Sequence, residues 1–167
     1  MTLDRLWAGW RATYIEEVAT AEPAGDGDAC LFCELASAAD EEGHVLAREP
    51  LVFAVLNVYP YTSGHLMVAP VRHVGALEAL TDDEAGALMR ITRHAATAVN
   101  AAYHPDGLNV GMNLGRAAGA GVPGHLHVHV LPRWVGDTNF MTSVAEARVL
   151  PETLSTSLEK LRAAWPQ

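Results

Sequence analysis

Three histidines alternate with aliphatic residues in His125-Leu126-His127-Val128-His129-Val130-Leu131. Side chains of an extended chain point to opposite faces in turn, so the stretch predicts a strand with imidazoles on one face and hydrocarbon on the other. At about 3.3 Å per residue, successive imidazoles would stand roughly 6.6 Å apart, close enough to divide one small substrate between them. Two kinds of chemistry suit such a row. Neutral imidazole is a competent nucleophile near pH 7, and its attack on phosphorus splits a difficult displacement into two easier ones, with a second imidazole donating to phosphate oxygens. Alternatively, His125 and His127 hold zinc in an H-x-H arrangement with a third ligand and a catalytic water, which makes a metallohydrolase.

A second signal is the C-x-x-C pair of Cys30 and Cys33, the only two cysteines in the chain. In a reducing compartment such a pair points to a metal or redox site rather than a structural disulfide. Structural zinc takes four tetrahedral Cys or His ligands, so two histidines must join the cysteines. His44, His65, His73, His94, His104 and the strand histidines are all available, and the residues alone leave the choice open. His94 in mid-helix and His104 just after it read as solvated. The loop at 115–124 is rich in Gly and Ala and contains Arg116, Gly119 and Gly121; its backbone N–H groups and the Arg116 guanidinium suit a phosphate. Asn57 and Asn113 flank apolar strands, where a carboxamide either recognises ribose hydroxyls or caps a turn. Arg133 and Trp134 end the histidine strand.

The elements that must position these groups follow from periodicity. Leu3, Leu6, Trp7, Trp10 and Tyr14 recur at helical spacing, which predicts an amphipathic helix at 3–18, followed by a Gly/Pro/Asp connector at 21–28. Strands are predicted at 44–48 and 51–56, joined through Pro50, with the second apolar throughout and so buried on both faces. A third strand is predicted at 65–70. Thr81-Asp82-Asp83-Glu84 is a capping box opening a helix over 81–102. Alternation predicts a fourth strand at 108–114, paired antiparallel with the histidine strand, which sets Asn113 and the loop beside the imidazoles. Leu154, Leu158, Leu161 and Trp165 mark a C-terminal helix at 151–165. The layout is a single α+β domain: an antiparallel sheet of about five strands, one principal helix and added terminal helices.

Composition narrows the function classes. With 167 residues, 50% of them hydrophobic, the chain suffices for one domain that buries close to 70% of its unfolded surface. A formal net charge of -9 argues against a nucleic-acid polymer or a membrane surface as partner, since phosphate arrays select for Lys and Arg. It leaves room for one phosphorylated small molecule. Neither a transmembrane run nor a basic-then-apolar leader pattern is present, so the expectation is a soluble, cytoplasmic protein.

Taken together these residues resemble the histidine triad (HIT) family of nucleotide hydrolases and transferases. The resemblance is carried by the alternating histidines with Pro132 and Arg133 behind them, by Asn57, Pro60 and Gly64-His65-Leu66-Met67-Val68-Ala69-Pro70, and by Asn113-Leu114-Gly115 with Ala118-Gly119. It covers about residues 30–139. It implies a HIT-like fold, a homodimer whose sheets join, and a nucleotide site in each subunit. His127 would attack the α-phosphorus to give a nucleotidyl-histidine intermediate, His129 and His65 would support the phosphate and orient the nucleophile, and Asn57 would hold ribose. For the zinc, the resemblance implies Cys30, Cys33, His73 and His125 as a structural ligand set. Asn113 and Arg133-Trp134, with the stretches 51–71 and 107–140, are similar to the actinobacterial diadenosine tetraphosphate phosphorylases, which resolve the intermediate with phosphate rather than water. Within that family a phosphoramidase or nucleotidyl hydrolase is the alternative enzyme, and a non-catalytic nucleotide- or zinc-binding module the alternative class. Gly121 departs from the family, which has Gln, Ser or Thr there against the scissile phosphate.

Overall fold

Five short segments rich in Val, Leu and Ala form one sheet: β1 (Val45–Arg48), β2 (Val52–Leu56), β3 (Leu66–Pro70), β4 (Gly107–Met112) and β5 (Val128–Arg133). The computed structural model describes residues 30–40, 43–137 and 152–166; the helix expected at 3–18 and the connector at 21–28 lie outside them. Every pairing is antiparallel, in the order β1-β2-β3-β5-β4. Around Pro50, the Glu49 N–H donates to Val52 O at 2.8 Å and closes the first hairpin. All residues of β2 and β3 are buried, as continuous apolar runs in the middle of a sheet covered on both faces must be.

The principal helix, α2 (Asp82–Tyr103), starts as its sequence dictates: Thr81 Oγ1 accepts from Glu84 N–H, and Glu84 accepts from Thr81 N–H. Its apolar stripe of Leu88, Ile91, Ala95 and Val99 packs on Val52, Ala54, Leu56, Leu66, Val68, Val128 and Val130. The C-terminal helix, α3 (Leu154–Ala163), adds Leu161 to this layer, and Arg162 donates to Val45 O at 2.8 Å on the sheet edge. It begins later than expected because Thr153 caps it, accepting from Thr156 N–H.

On the opposite face a short helix, α1 (Leu31–Ser37), seats Phe32 among Val45, Phe53, Val55, Met67 and Ala69. Arg48 supplies the end of α1 with donors, bonding Ala36 O at 2.6 Å, Leu35 O at 3.0 Å and Ala38 O at 2.7 Å. These are carbonyls that a helix C-terminus leaves without partners. The histidine strand differs from expectation at its start. Pairing begins at Val128, opposite Val68 and Met112, because upstream backbone is bonded elsewhere: His125 N–H donates to Val122 O and Leu126 N–H to Val74 O at 2.7 Å. His125 and His127 therefore precede the ladder, and only His129 lies within it.

Candidate active site and metal centre

The face of the sheet away from α2 carries the imidazoles. Across it run Val55, Met67, His129 and Gly111, each opposite the next in register. Gly111 leaves open space beside His129, with no atom within 4 Å of the place a Cβ would take. The His127 and His129 ring centroids are 4.9 Å apart at an interplanar angle of 75°. This is closer than the strand repeat predicts, because the rings lean together instead of standing upright.

Hydrogen-bond partners fix the tautomer of each ring. Tyr61 N–H donates to His65 Nδ1 at 3.1 Å, so the neutral His65 carries its proton on Nε2. That nitrogen lies 2.9 Å from His129 Nδ1, which accepts and leaves the proton of His129 on its own Nε2. His127 Nδ1 lies 2.8 Å from the carbonyl oxygen of His125, two residues before it. A carbonyl can only accept, so Nδ1 holds the proton and the Nε2 of His127 presents a lone pair. By the same logic His125 donates from Nε2 to Pro70 O at 2.9 Å, and its Nδ1 lone pair is turned to the cysteines. Burial favours the neutral form of His127 and His129: it pushes His127 below the ordinary histidine value against the His125 carbonyl, and, with His127 nearby, pushes His129 down to about 4. Such an array can deliver a neutral nitrogen nucleophile beside an N–H donor without any formal positive charge.

Asn57 and the turn that follows β2 hold His65 in place. Asn57 Oδ1 accepts from Tyr59 N–H at 2.9 Å, and its Nδ2 lies 3.3 Å from His65 Nδ1. This leaves part of the carboxamide's capacity for a ligand hydroxyl. The Tyr61 ring rests on both His65 and His129, at centroid distances of 4.7 Å and 6.0 Å.

Four donors, His125 of the row among them, converge beside it. The ligating atoms of Cys30, Cys33, His73 and His125 all lie within 4.8 Å of one another. Cys30 Sγ is 3.3 Å and Cys33 Sγ 3.7 Å from His125 Nδ1, and Cys33 Sγ is 3.4 Å from His73 Nδ1. Bonds of about 2.0 to 2.3 Å to a central ion give tetrahedral edges of roughly 3.3 to 3.8 Å, so these three separations match edges of a closed S2N2 site and the cluster could hold a metal ion. Cys30 caps α1 and Cys33 sits in its first turn, on one face at i, i+3 spacing. His73 is brought in by the segment after β3. There Arg72 bonds both Glu84 carboxylate oxygens at 2.7 Å and Ala79 O at 2.8 Å, tying the segment to the start of α2. Arg72, with the Thr81 amide, holds the Glu84 carboxyl down to about 2.

The remaining candidates are more dispersed. Asn113 spans its loop, donating to Gly119 O at 3.5 Å. Arg116 opens a short 3-10 turn, Arg116–Ala118, closed by Gly119 in the left-handed region at φ 88°, and Gly121 is exposed beyond it. Trp134, which the sequence offers as a further substrate-binding candidate, packs edge-on against Tyr103 at 6.4 Å. It follows Val128, Val130 and Pro132 in the alternation of β5, and that side of the sheet belongs to α2. His94 is half-buried on α2, and His104 ends that helix in the left-handed region at φ 46°. Two neighbours of the histidines were not legible in the sequence, Phe32 and Tyr61. For Phe32 the available signal was its place between the two cysteines.

Comparison with known proteins places this geometry. The HIT domain profile matches residues 38–135. An AP-4-A phosphorylase from Mycobacterium tuberculosis is 44% identical over 170 aligned residues, covering 98% of this chain and 85% of that protein. An adenosine 5'-monophosphoramidase from Schizosaccharomyces pombe is 27% identical over 78% of this chain and 98% of its own length. Among solved structures, a Zn-bound histidine triad family protein from Mycobacterium smegmatis superposes with a TM-score of 0.67, at 29% identity, over 81% of this chain and 92% of that one.

Proposed function

We propose that this chain, which belongs to the HIT domain family, is an enzyme that cleaves dinucleoside polyphosphates at the α-phosphate through a nucleotidyl-His127 intermediate. The observation that carries this reading is the commitment of His127 Nδ1–H to the His125 carbonyl at 2.8 Å, which leaves Nε2 as the nucleophile. In the first step Nε2 forms a bond to the α-phosphorus while the bond from phosphorus to the bridging oxygen breaks, and the departing nucleoside polyphosphate takes the electron pair. The imidazole gains positive charge as it bonds, and the His125 carbonyl dipole stabilises that charge. In the second step an acceptor oxygen attacks phosphorus and His127 leaves as neutral imidazole.

His129 donates from Nε2 to the phosphate oxygens, and His65 orients it. Asn57 takes a ribose hydroxyl with its spare hydrogen-bonding capacity. The loop held by Asn113, with Arg116 and the backbone N–H of Gly121, takes the remaining phosphate charge; Gly121 offers no side chain, so its amide and Arg116 do this work, while Gly119, whose N–H donates to Arg116 O at 2.9 Å, shapes the turn. The similarity to a protein named AP-4-A phosphorylase supports phosphate as the acceptor, which yields a nucleoside diphosphate.

The reading includes a structural zinc ion on Cys30, Cys33, His73 and His125, supported by the fit of their separations to a tetrahedron and by the Zn-bound neighbour. Zinc supplies a fixed crosslink there, tying α1 to the segments that carry His73 and His125. It also includes a homodimer, supported by the open side of β4, where Val110 is 51% exposed on a strand that ends the sheet. The reading further takes the location to be cytoplasmic, where both thiols stay reduced; among the described residues no helix is long and apolar enough to cross a membrane.

Incubation with diadenosine tetraphosphate and labelled inorganic phosphate tests the reaction. The parent protein should form ADP carrying the label; AMP alone would replace phosphate by water as acceptor. His127→Gly should lower turnover by at least about 1,000-fold, the scale of losing a covalent nucleophile. Turnover near that of the parent would overturn the assignment.

A further inference from the structure

We infer that Phe32 is a positioning residue for the nucleophile: its ring is the wall that sets the plane of the His127 imidazole and so the direction of Nε2. This rests on the reading of His127 given above and adds a residue to it. The Phe32 and His127 ring centroids are 4.7 Å apart at 30°, a stacked arrangement. A second ring, that of His129, stands 4.9 Å from the His127 ring and nearly perpendicular to it. With Nδ1 bonded to the His125 carbonyl, one face on Phe32 and His129 against it, the imidazole has one way to point. Removing the bond, the stack or the neighbour would each restore a swing of the ring about its Cβ–Cγ axis.

The wall is itself rigid. Phe32 is 1% exposed and also touches the rings of Phe53 at 6.5 Å and His125 at 5.2 Å. It lies between Cys30 and Cys33, whose sulfurs converge on His125 and His73, and the far end of its helix is held by the three carbonyl bonds of Arg48. The metal-binding turn and the nucleophile are therefore joined by one aromatic contact. That gives the C-x-x-C turn a part in the chemistry beyond stability, since the same turn that supplies two sulfurs presents the ring on which His127 rests. Misplacing a reacting atom by about 1 Å costs on the order of 100-fold in rate, so a flat, immobile support matters more to turnover than to binding.

Phe32→Leu keeps apolar volume and removes the flat face; Phe32→Met is a second such variant with a more adaptable side chain. With diadenosine tetraphosphate and inorganic phosphate, kcat should fall about 10- to 100-fold, while KM stays within about twofold and bound zinc per chain is unchanged. Single-turnover formation of nucleotidyl-His127 should slow by the same factor as kcat. The His127 ring protons should also lose the ring-current shift that Phe32 imposes. A folded variant with parental kcat, or one in which KM alone changes, overturns the inference. If neither variant folds, carbon relaxation of the His127 imidazole in the parent decides, because a ring that reorients freely is incompatible with a wall. Parental kcat in Phe32→Leu beside an inactive His127→Gly removes only the role of Phe32, whereas an active His127→Gly removes the underlying reading.

Discussion

An imidazole offers a nucleophilic nitrogen only where its other nitrogen has been given a fixed partner. In this chain each of the four rings in the row of histidines has one: His127 and His125 on carbonyls, His65 on the Tyr61 amide, His129 on His65. The arrangement works with neutral rings, which ties both activity and stability to pH. His129 is pushed down to about 4, by burial first and by His127 second, whereas in the unfolded chain it keeps a value near 6.5. The unfolded chain therefore takes up the proton first. Stability contributed by the neutral ring is complete above about pH 6.5 and is lost as pH falls towards about 4. Denaturant midpoints followed from about pH 7.5 to about pH 4.5 should decline, and the decline should be shallower in His129→Asn, whose Oδ1 can still accept from His65. An unchanged slope in that variant would remove His129 as the source.

Among the elements, α1 carries more function than its size suggests. Seven residues are too few for a helix to persist in water on its own, since isolated helices shorter than about 12 residues are marginal. It is held at one end by the cysteine turn and at the other by Arg48. The Arg48 ion pair with Asp40 is exposed on the Asp40 side and contributes little, so the three carbonyl bonds matter most. Arg48→Ala should lower unfolding free energy by about 1 to 3 kcal/mol and weaken metal binding in a competition titration. Arg48→Lys should recover little, because an ammonium cannot reproduce the planar fork that reaches three carbonyls. Full recovery by lysine would show that charge alone sustains the contact.

For the whole molecule, the proposed zinc crosslink would support the α1 layer of the sheet and not the α2 layer. The α2 side is an apolar core of Leu, Val, Ile and Ala; among the described residues the α1 side holds an apolar cluster of six buried residues, the buried imidazoles of His65 and His127, and the four candidate metal donors. Removal of metal by a chelator should lower Tm reversibly, with zinc restoring it; at a thousandfold excess over Kd the linked stabilisation is about 4 kcal/mol. Activity should fall as α1 loosens and the Phe32 ring leaves His127. Immediate loss of turnover with the ring-current shift of the His127 protons intact, regained at once with added metal, would instead assign the ion to catalysis.

What the sequence determined by itself is local. Alternation put the histidines on one face, the Thr81-Glu84 pair opened α2 within a residue of where it begins, and an unbroken apolar run marked β2 as central. These signals are legible because they depend on neighbours a few residues apart, where helix and strand periods act directly. Tertiary structure decided which histidines meet the cysteines, where the ladder of β5 begins, and that Phe32 rather than a third histidine lies against His127. Those outcomes join residues as far apart as Cys30 and His125, 95 positions along the chain. They are fixed by the insertion of β5 between β3 and β4 and by the seating of α1 on the sheet, and no local period reports the packing that brings such distant side chains together.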